Sequence, residues 1–407
     1  MALGWRNGLK RVSTVGNLER ERSYLERERE EIRRAFPFPG SMSSSVHGEL
    51  LKSFKVSKAR QTHTDGHLVF ERGENLTPRY KIIRKIGEGT FGRVLDCWDR
   101  VNKEYVAIKV IRNIPKYRHA AMTEIDVLCT LAKHDTAGSR CCLRMKEWFD
   151  YRHHVCMVLE KLGPSLYDFL RRNSHRPFPI DLIREFALQI LKAVAYMHRL
   201  SLTHTDLKPE NILVVSPDYV RVPYKHSLNL TKHYNRIPKS SAIKLIDFGS
   251  ATFEDRRHSS VVSTRHYRAP EVILGLGWSY PCDMWSVGCV LVELCTGGVL
   301  FQTHENLEHL AMMEQVLGLI PSHIIQKACR TAGRYFNSAK GLRWPEGAVS
   351  RKSIQAVRRL PRLPDLIVDY VDQDKEEFID LLRQMFHYDP DQRMTAKEAL
   401  LHPFLKR

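Results

Sequence analysis

A segment near the middle of the chain, HTDLKPEN at residues 204–211, holds three polar side chains that could act together in a chemical reaction. Asp206 can accept the proton of an attacking hydroxyl group. Lys208 can neutralise negative charge on a group in transfer. The amide oxygen of Asn211 is a hard ligand suited to Mg²⁺. These residue types at this spacing indicate transfer of a phosphoryl group to a hydroxyl.

A second metal-binding side chain follows in IKLIDFG at residues 243–249. Asp247 stands at the end of an apolar, strand-like run and precedes a glycine, where a carboxylate can hold a metal ion that bridges phosphates. Taken singly, each of these motifs could be a surface loop or a helix cap. Their occurrence together, in this order, favours a phosphate-handling site.

A glycine-rich segment, GEGTFGRV at residues 87–94, fits the pattern GxGxxGxV. Glycines permit a tight turn whose backbone amides can approach phosphate oxygens. A dinucleotide site also uses such glycines, but there a helix opens at the motif. Here a strand-like run, residues 94–98, follows instead. The segment therefore predicts a hairpin that covers phosphates.

Lys109 ends the next strand-like run, VAIK at residues 106–109. Its ammonium group could hold the α and β phosphates of a nucleotide. A lysine in a cleft needs a carboxylate to fix its position, and Glu124 on the following helix is placed to supply one. Either residue alone could be an ordinary solvated charge, but the pair together with the glycine loop indicates a nucleotide site.

The elements that must position these residues fall into two parts. From about residue 80 to residue 158, short runs rich in Val, Ile, Tyr and Phe alternate with turn residues, which predicts a small antiparallel sheet. Apolar residues at helical spacing, Met122, Ile125 and Leu128, place one helix within it. Helical patterns dominate from about residue 165. The cleft between two such lobes is a natural ligand site.

Residues 1–79 differ from the rest, and we predict that they form a charged, flexible extension. Leu18, Leu25 and Ile32 are spaced seven apart within a repeated LERER pattern, which is compatible with a short coiled coil or with a solvated single helix. The following FPFPGSMSSS is typical of a flexible linker.

The composition limits the partners and the compartment. The formal net charge of +18 favours a polyanionic partner, or it reflects solubility and a basic tail. No base-reading motif is present, so we expect no sequence-specific nucleic acid binding. Nine scattered cysteines without a CxxC pair favour a reducing compartment. The longest apolar run, 284–295, is too short to span a bilayer, and we expect no membrane association.

Together, the motifs GxGxxGxV, VAIK, HxDLKPEN, DFG and APE (residues 269–271) resemble those of the eukaryotic protein kinases over residues 80–404. The resemblance implies an α+β, bilobal protein-kinase fold, with a small β-rich N-lobe holding one main helix and a larger, mainly helical C-lobe. The N-lobe and hinge would span residues 80–162 and the C-lobe residues 163–404. Family-type insertions are expected at about 216–242 and 300–345. The first would be a β-hairpin that either docks a partner or has no function.

The resemblance also implies ATP and Mg²⁺ as cofactors and a set of site residues. The catalytic residues would be Asp206, Lys208, Asn211, Lys109 and Glu124. The nucleotide would contact Ile86, Gly87, Glu88, Gly89, Thr90, Phe91, Gly92, Arg93, Val94, Ala107, Lys109, Leu159, Glu160, Leu162, Leu213 and Asp247. Asn211 and Asp247 would hold the metal. The substrate would contact Glu210, Thr264 and Arg268. Asp283, and Arg393 paired with Glu271, would be structural supports.

The segment ENLEHLAMMEQ at residues 305–315 resembles the EHLAMMER signature of the LAMMER, or CLK, dual-specificity kinases, most closely the plant members. HTD in place of HRD is a second trait of that family. Two residues depart from the common pattern. Gln315 stands where the signature has arginine, and Leu159 stands where many members have phenylalanine, which would widen the back of the ATP pocket.

The family resemblance implies phosphorylation of serine and threonine, with autophosphorylation on tyrosine, and arginine/serine-rich splicing factors as substrates in pre-mRNA splicing. It implies a monomer in the nucleus, with the cytoplasm as a second location. The alternatives are a conventional serine/threonine kinase with another substrate, or a catalytically weak scaffold. A scaffold would lack at least one of Lys109, Asp206, Asn211 or Asp247, and all four are present.

Two residues of the HTDLKPEN segment suggest hypotheses about regulation and substrate. Thr205 replaces an arginine that in many kinases binds a phosphate on the activation loop. Threonine cannot make that bidentate contact, so activity should not require such a phosphate. Glu210 could form a fork with the guanidinium of an arginine-rich substrate.

Overall fold

The computed structural model describes residues 65–223, 234–256, 259–337, 341–371 and 374–406. The chain divides into two compact units, Met1–Gln61 and Thr62–Arg407, and all described residues belong to the second. The heptad-like segment at residues 18–32 and the linker that follows it lie outside the described residues.

The N-terminal lobe contains an antiparallel five-stranded sheet, as predicted. Its strands are β1 (Tyr80–Glu88), β2 (Gly92–Asp99), β3 (Glu104–Ile111), β4 (Met145–Tyr151) and β5 (His154–Glu160), in the order β1-β2-β3-β5-β4. The central strands β3 and β5 are rich in Val, Ile and Met and are buried along most of their length. Such runs suit strands covered on both faces.

Helix α1 (Pro115–His134) packs against this sheet. It begins with proline at its first position, where the missing N–H costs nothing, and ends with Lys133 and His134, whose charge suits the helix C-terminus. Ile125 and Leu128 are buried as their spacing predicts. Glu124 is also buried, so its carboxylate is held beneath the sheet rather than in solvent.

The folded part of the chain begins before residue 80, where the sequence pattern placed the start of the domain. Leu68 and Leu76 are buried in one cluster with Tyr80 and Ile82 of β1. Backbone hydrogen bonds tie this segment to β1, for example from the Gly73 amide to the Ile82 carbonyl at 2.9 Å. Residues 65–79 therefore cover the outer face of the sheet and are not part of a flexible extension.

The C-terminal lobe is mainly helical. Its helices are α2 (Leu166–Arg172), α3 (Ile180–Arg199), α4 (Pro270–Leu274), α5 (Pro281–Thr296), α6 (Asn306–Leu317), α7 (Ser322–Lys327), α8 (Arg351–Arg358), α9 (Leu363–Val368), α10 (Lys375–Met385) and α11 (Ala396–Ala399). Helix α5 is buried at every position from Cys282 to Cys295, which makes it the centre of this lobe. No helix among the described residues has both the length and the apolar character needed to cross a membrane.

Short strands at the junction of the lobes carry the functional loops. They are β6 (Leu202–Thr203), β7 (Ile212–Val214), β10 (Ile243–Leu245) and β11 (Thr252–Phe253), which pair as β6 with β11 and β7 with β10. The loops 204–211 and 246–251 are therefore each held at both ends by paired strands.

The insertion expected at about 216–242 contains a β-hairpin, formed by β8 (Tyr219–Pro223) and β9 (Tyr234–Pro238). Asn173, which follows α2, holds it by two hydrogen bonds of 2.9 Å, to the amide and the carbonyl of Arg236. The residues between the two strands lie outside the described part of the chain.

Candidate active site

The segment 204–211 is anchored from below by the buried helix α5. Asp283, in the first turn of that helix, is 1% exposed and accepts hydrogen bonds from the amides of His204 (2.8 Å) and Thr205 (2.9 Å). His198 of α3 lies 3.0 Å from the same carboxylate. This buried carboxylate fixes the backbone that carries Asp206, which is the supporting role predicted for it.

Asp206 lies at the centre of a hydrogen-bonded group. Thr264 donates to its Oδ1 from both the hydroxyl (2.6 Å) and the amide (3.0 Å), and Lys208 Nζ donates to its Oδ2 (2.6 Å). Burial opposes ionisation of the carboxyl, but the bonds from Lys208 and Thr264 outweigh it and lower the pKa of Asp206. The carboxylate is thus ionised at neutral pH and can accept a proton.

Asn211 and Asp247 supply oxygen atoms beside this group. Asn211 donates from Nδ2 to the Asp206 carbonyl (2.9 Å), which leaves its amide oxygen available to a ligand. Asp247 has a left-handed backbone, with φ of 63°, and its side chain is 40% exposed. Within the described residues, no group of three or more His, Cys, Asp or Glu side chains could hold a metal alone. Two oxygen ligands fit Mg²⁺, which usually completes its shell with phosphates and water.

Lys109 makes the ion pair that its spacing predicted. Its Nζ lies 2.7 Å and 2.8 Å from the two carboxylate oxygens of Glu124 and 3.3 Å from Asp247 Oδ1. Burial disfavours the ammonium group, yet the charges of Glu124 and Asp247 outweigh this and raise the pKa of Lys109. A fixed positive charge therefore stands beside the oxygen atoms that could hold a metal and phosphates.

The glycine-rich segment forms the turn between β1 and β2. A Cβ atom on Gly92 would lie 2.1 Å from the Val110 carbonyl oxygen, so only glycine fits there. At the tip of the turn, Phe91 packs edge-on against Tyr117 of α1, with ring centroids 5.5 Å apart. The side chain of Arg93 pairs with Glu88 (2.9 Å). These side chains brace the turn. Within it the Gly89 amide donates to the Gly92 carbonyl at 3.0 Å, and contact of the turn's other amides with phosphates stays a prediction.

Apolar side chains predicted to hold an adenine ring line the strands next to this turn. Ala107 and Leu159 are neighbours in the β3–β5 pair and are 8% and 6% exposed. Val94 and Leu213 are partly buried, on β2 and β7. Ile86 and Thr90 are exposed. The backbone contacts to adenine from Glu160 and Leu162 stay a prediction.

The predicted substrate residues surround Asp206 in different ways. Thr264 touches it directly, as described above. Glu210 is exposed in the 3₁₀ turn Pro209–Asn211. Arg268 donates from Nε to the Val262 carbonyl and from Nη2 to the Ser263 carbonyl, both at 2.8 Å. Two N–H groups of the Arg268 guanidinium thus brace the backbone at Val262 and Ser263.

Two contacts of the site could not be predicted from the sequence. Lys109 reaches Asp247 as well as Glu124. Arg256, which follows β11, donates to Asp126 of α1 at 2.6 Å. Neither contact has a local signal, because each joins residues more than a hundred positions apart.

Comparisons with known proteins agree with this arrangement. Residues 80–405 match the family model for the protein kinase domain. The chain is 62% identical over 352 residues to the serine/threonine-protein kinase AFC1 of Arabidopsis thaliana, covering 86% of this chain and 75% of that one. It is 48% identical over 341 residues to the dual specificity protein kinase CLK4 of Homo sapiens, covering 84% and 69%. A crystal structure of a kinase domain superposes with a TM-score of 0.79 at 42% identity, covering 84% of this chain and 99% of that one.

Proposed function

The chain belongs to the protein kinase family and to its LAMMER branch, and from that premise we propose that it phosphorylates arginine/serine-rich splicing factors with Mg-ATP. Serine and threonine are the proposed acceptors, with tyrosine modified by autophosphorylation. The proposal includes a role in pre-mRNA splicing, a monomeric state and residence mainly in the nucleus. The predicted fold and the protein kinase reaction are confirmed by the family match and by the solved kinase domain.

The observation that carries the proposal is the group formed by Asp206, Thr264 and Lys208 next to Lys109 and its carboxylates. Asp206 accepts the proton of the substrate hydroxyl and orients its oxygen. Lys208 and Lys109 place positive charge where the phosphoryl group gathers negative charge. A magnesium ion held by Asn211 and Asp247 would add further charge neutralisation. The glycine-rich turn would exclude water from the phosphates.

The reaction itself is tested by replacing the proton acceptor. Asp206→Asn keeps the shape of the side chain but removes its basicity, so we expect phosphate transfer to a generic basic protein to fall by roughly 10²–10⁴-fold. Transfer is measured with radiolabelled ATP, and ATP binding is measured separately. Asp218→Asn, on an exposed loop residue, is the matched control and should behave as wild type. An Asp206→Asn protein with full activity would refute the assignment.

Preference for arginine is proposed to depend on Glu210, because its carboxylate is exposed directly after the catalytic segment. We expect Glu210→Ala to raise KM for an arginine-rich peptide and to spare a neutral peptide. Glu185→Ala, which removes an exposed glutamate of α3, should change neither value. Equal losses on both peptides would assign Glu210 a structural role.

Phosphotyrosine on protein made in bacteria would support the proposed dual specificity.

A further inference from the structure

The hairpin of β8 and β9 presents one face on which aromatic and cationic side chains lie side by side. Tyr219, Arg221 and Pro223 share this face of β8, because side chains alternate between the two sides of a strand. The strand register places Arg236 opposite Arg221 and Tyr234 opposite Pro223, so the face continues on β9. The guanidinium of Arg236 lies over the ring of Tyr219, 5.3 Å from its centroid. Tyr219, Arg221, Tyr234 and Arg236 are together named the hairpin face.

The hairpin face is open to solvent, and its positive charge has no counterpart. Tyr219 and Tyr234 are 42% and 49% exposed. Within the described residues, neither Arg221 nor Arg236 forms an ion pair with an Asp or Glu. Like charges directly opposite each other weaken a pair of strands. An anion bound between the two guanidinium groups would remove that repulsion.

The sequence around the hairpin face contains many cations and no acids. Between Asp218 and Asp247 there are six Lys or Arg residues and no Asp or Glu. Exposed strands often carry a cation that prevents pairing with another chain. That role needs neither tyrosines beside the cation nor two arginines opposite each other. The combination indicates a ligand that has both negative charge and flat rings.

We propose that the hairpin face binds single-stranded RNA without strong sequence preference. Unpaired bases stack on aromatic side chains and on guanidinium planes, and every base has a flat surface, so such stacking tolerates any sequence. The two arginines contact backbone phosphates. The exposed hydroxyl groups of Tyr219 and Tyr234 can bond to the 2′-hydroxyl, which distinguishes RNA from DNA. An acidic peptide would satisfy the arginines but would leave the two rings without a stacking partner.

The attachment of the hairpin to the C-terminal lobe suits a binding surface. Asn173 holds the backbone of Arg236 by two hydrogen bonds of 2.9 Å, so this part of the hairpin face has a fixed place. A surface arranged in advance loses less conformational freedom on binding. The hairpin face shares no residue with the candidate active site, so bound RNA would leave that site free for a protein substrate. The proposal concerns binding alone and does not depend on the proposed substrates.

The charged part of the proposal is tested by the salt dependence of binding. The full chain is titrated, without ATP, into a short fluorescent RNA of mixed sequence that cannot fold on itself, and anisotropy gives the affinity. Each phosphate contact on a single strand adds about 0.7 to the slope of log affinity against log salt. We expect Arg221→Gln to reduce this slope by about 0.7. Arg358→Gln, which removes an exposed arginine of α8, should leave the slope unchanged.

The aromatic part is tested by removing and then restoring a ring. We expect Tyr219→Ala to weaken RNA binding by about ten-fold with little change in the salt slope, because stacking of a base on an aromatic ring is worth at least that factor. Tyr219→Phe keeps the ring and should bind much more tightly than Tyr219→Ala. Tyr370→Ala is the matched control, since Tyr370 is 44% exposed and lies outside the hairpin, and it should bind as wild type.

Three results would overturn the proposal. Equal changes of slope in Arg221→Gln and Arg358→Gln would mean general attraction of RNA to a basic chain. Tighter binding of DNA of the same sequence, or of a phosphoserine peptide of equal charge, would assign the hairpin face to another ligand. So would a wild-type chain that binds no RNA. None of these results bears on the kinase reaction, which is measured separately with radiolabelled ATP and a generic basic protein.

Discussion

Glu293 shows how one buried residue can couple this fold to pH. The carboxyl group lies inside α5, is 2% exposed, and accepts a hydrogen bond of 2.6 Å from the Tyr267 hydroxyl. Burial raises the pKa of Glu293 to about 7, and the bond from Tyr267 only partly opposes this shift. Between about pH 4.5 and about pH 7, the folded chain therefore holds a proton on Glu293 that the unfolded chain has released.

We expect Glu293→Gln to make the protein less sensitive to pH. Between the unfolded pKa, about 4.5, and the folded pKa, about 7, the folded state binds more protons, so wild-type stability declines as pH rises through this window. Glutamine can still accept the Tyr267 bond but cannot titrate. The fall in unfolding free energy from about pH 4.5 to about pH 8 should be smaller in the variant by on the order of 2–3 kcal/mol. Urea unfolding at both pH values measures this, and identical falls would contradict it.

At the residue scale, the sequence predicted the side chains whose role depends on a local motif. Asp206, Lys208 and Asn211 are close in the chain, and Glu124 follows Lys109 by 15 positions on a recognisable helix. His309, whose two ring nitrogens are buried without a hydrogen-bond partner among the described residues, was not predicted, because nothing in a sequence shows which polar groups will be buried unpaired. That property appears only when distant segments are packed together.

At the scale of elements, α1 and the segment after β11 are joined by an ion pair. Arg256 Nη2 lies 2.6 Å from Asp126 Oδ2, and both side chains are 30% exposed. Asp126 is two positions from Glu124, so this pair helps to hold α1 where Glu124 reaches Lys109. Thr205 is 2% exposed, and its hydroxyl donates to the Ser250 carbonyl. An ion pair thus connects this segment to α1, and independence from an added phosphate stays a prediction.

We expect Arg256→Ala and Asp126→Ala each to lower kcat/KM by up to about five-fold, because a half-exposed pair contributes at most about 1 kcal/mol. The double variant should lose no more than either single variant, and KM for ATP should rise in all three. Additive losses in the double variant would show that the two residues act separately.

Replacing Ser259, Ser260 and Ser263 together by alanine should leave turnover largely intact. Collapse of turnover in this triple variant would show that a phosphate is needed.

At the scale of the whole molecule, the two lobes could be predicted from the change between alternating and helical apolar patterns. The N-terminal boundary could not, because residues 65–79 have no strand-like alternation and are held by Leu68, Leu76 and backbone bonds to β1. The hairpin at 219–238 was expected from the resemblance to the protein kinases, whereas its attachment to Asn173 depends on a contact 63 positions away. Gln315 donates to the Leu360 carbonyl at 3.0 Å, a role that its departure from the family signature did not reveal.

Two truncations test where the folded unit starts. Removing residues 1–61 leaves the second compact unit whole and gives the reference melting temperature. Removing residues 1–79 also uncovers the cluster of Tyr80 and Ile82 and deletes two buried leucines, each worth roughly 1.5–3 kcal/mol of burial. We expect the second truncation to melt several degrees lower in differential scanning calorimetry. Equal melting temperatures would place the boundary at residue 80 after all.

The pair between Arg393 and Glu271 has a consequence for the synthesis of the chain. Both side chains are buried, with exposures of 0% and 1%, and their atoms approach to 2.7 Å across 122 residues of sequence. Until the ribosome has made Arg393, the carboxylate of Glu271 has no cation to accompany it into the interior, and burying it alone is costly. A nascent or prematurely terminated polypeptide can thus complete the N-terminal lobe while α4, which carries Glu271, is still unanchored. We therefore expect competence for phosphate transfer to arise only after Arg393 has been made.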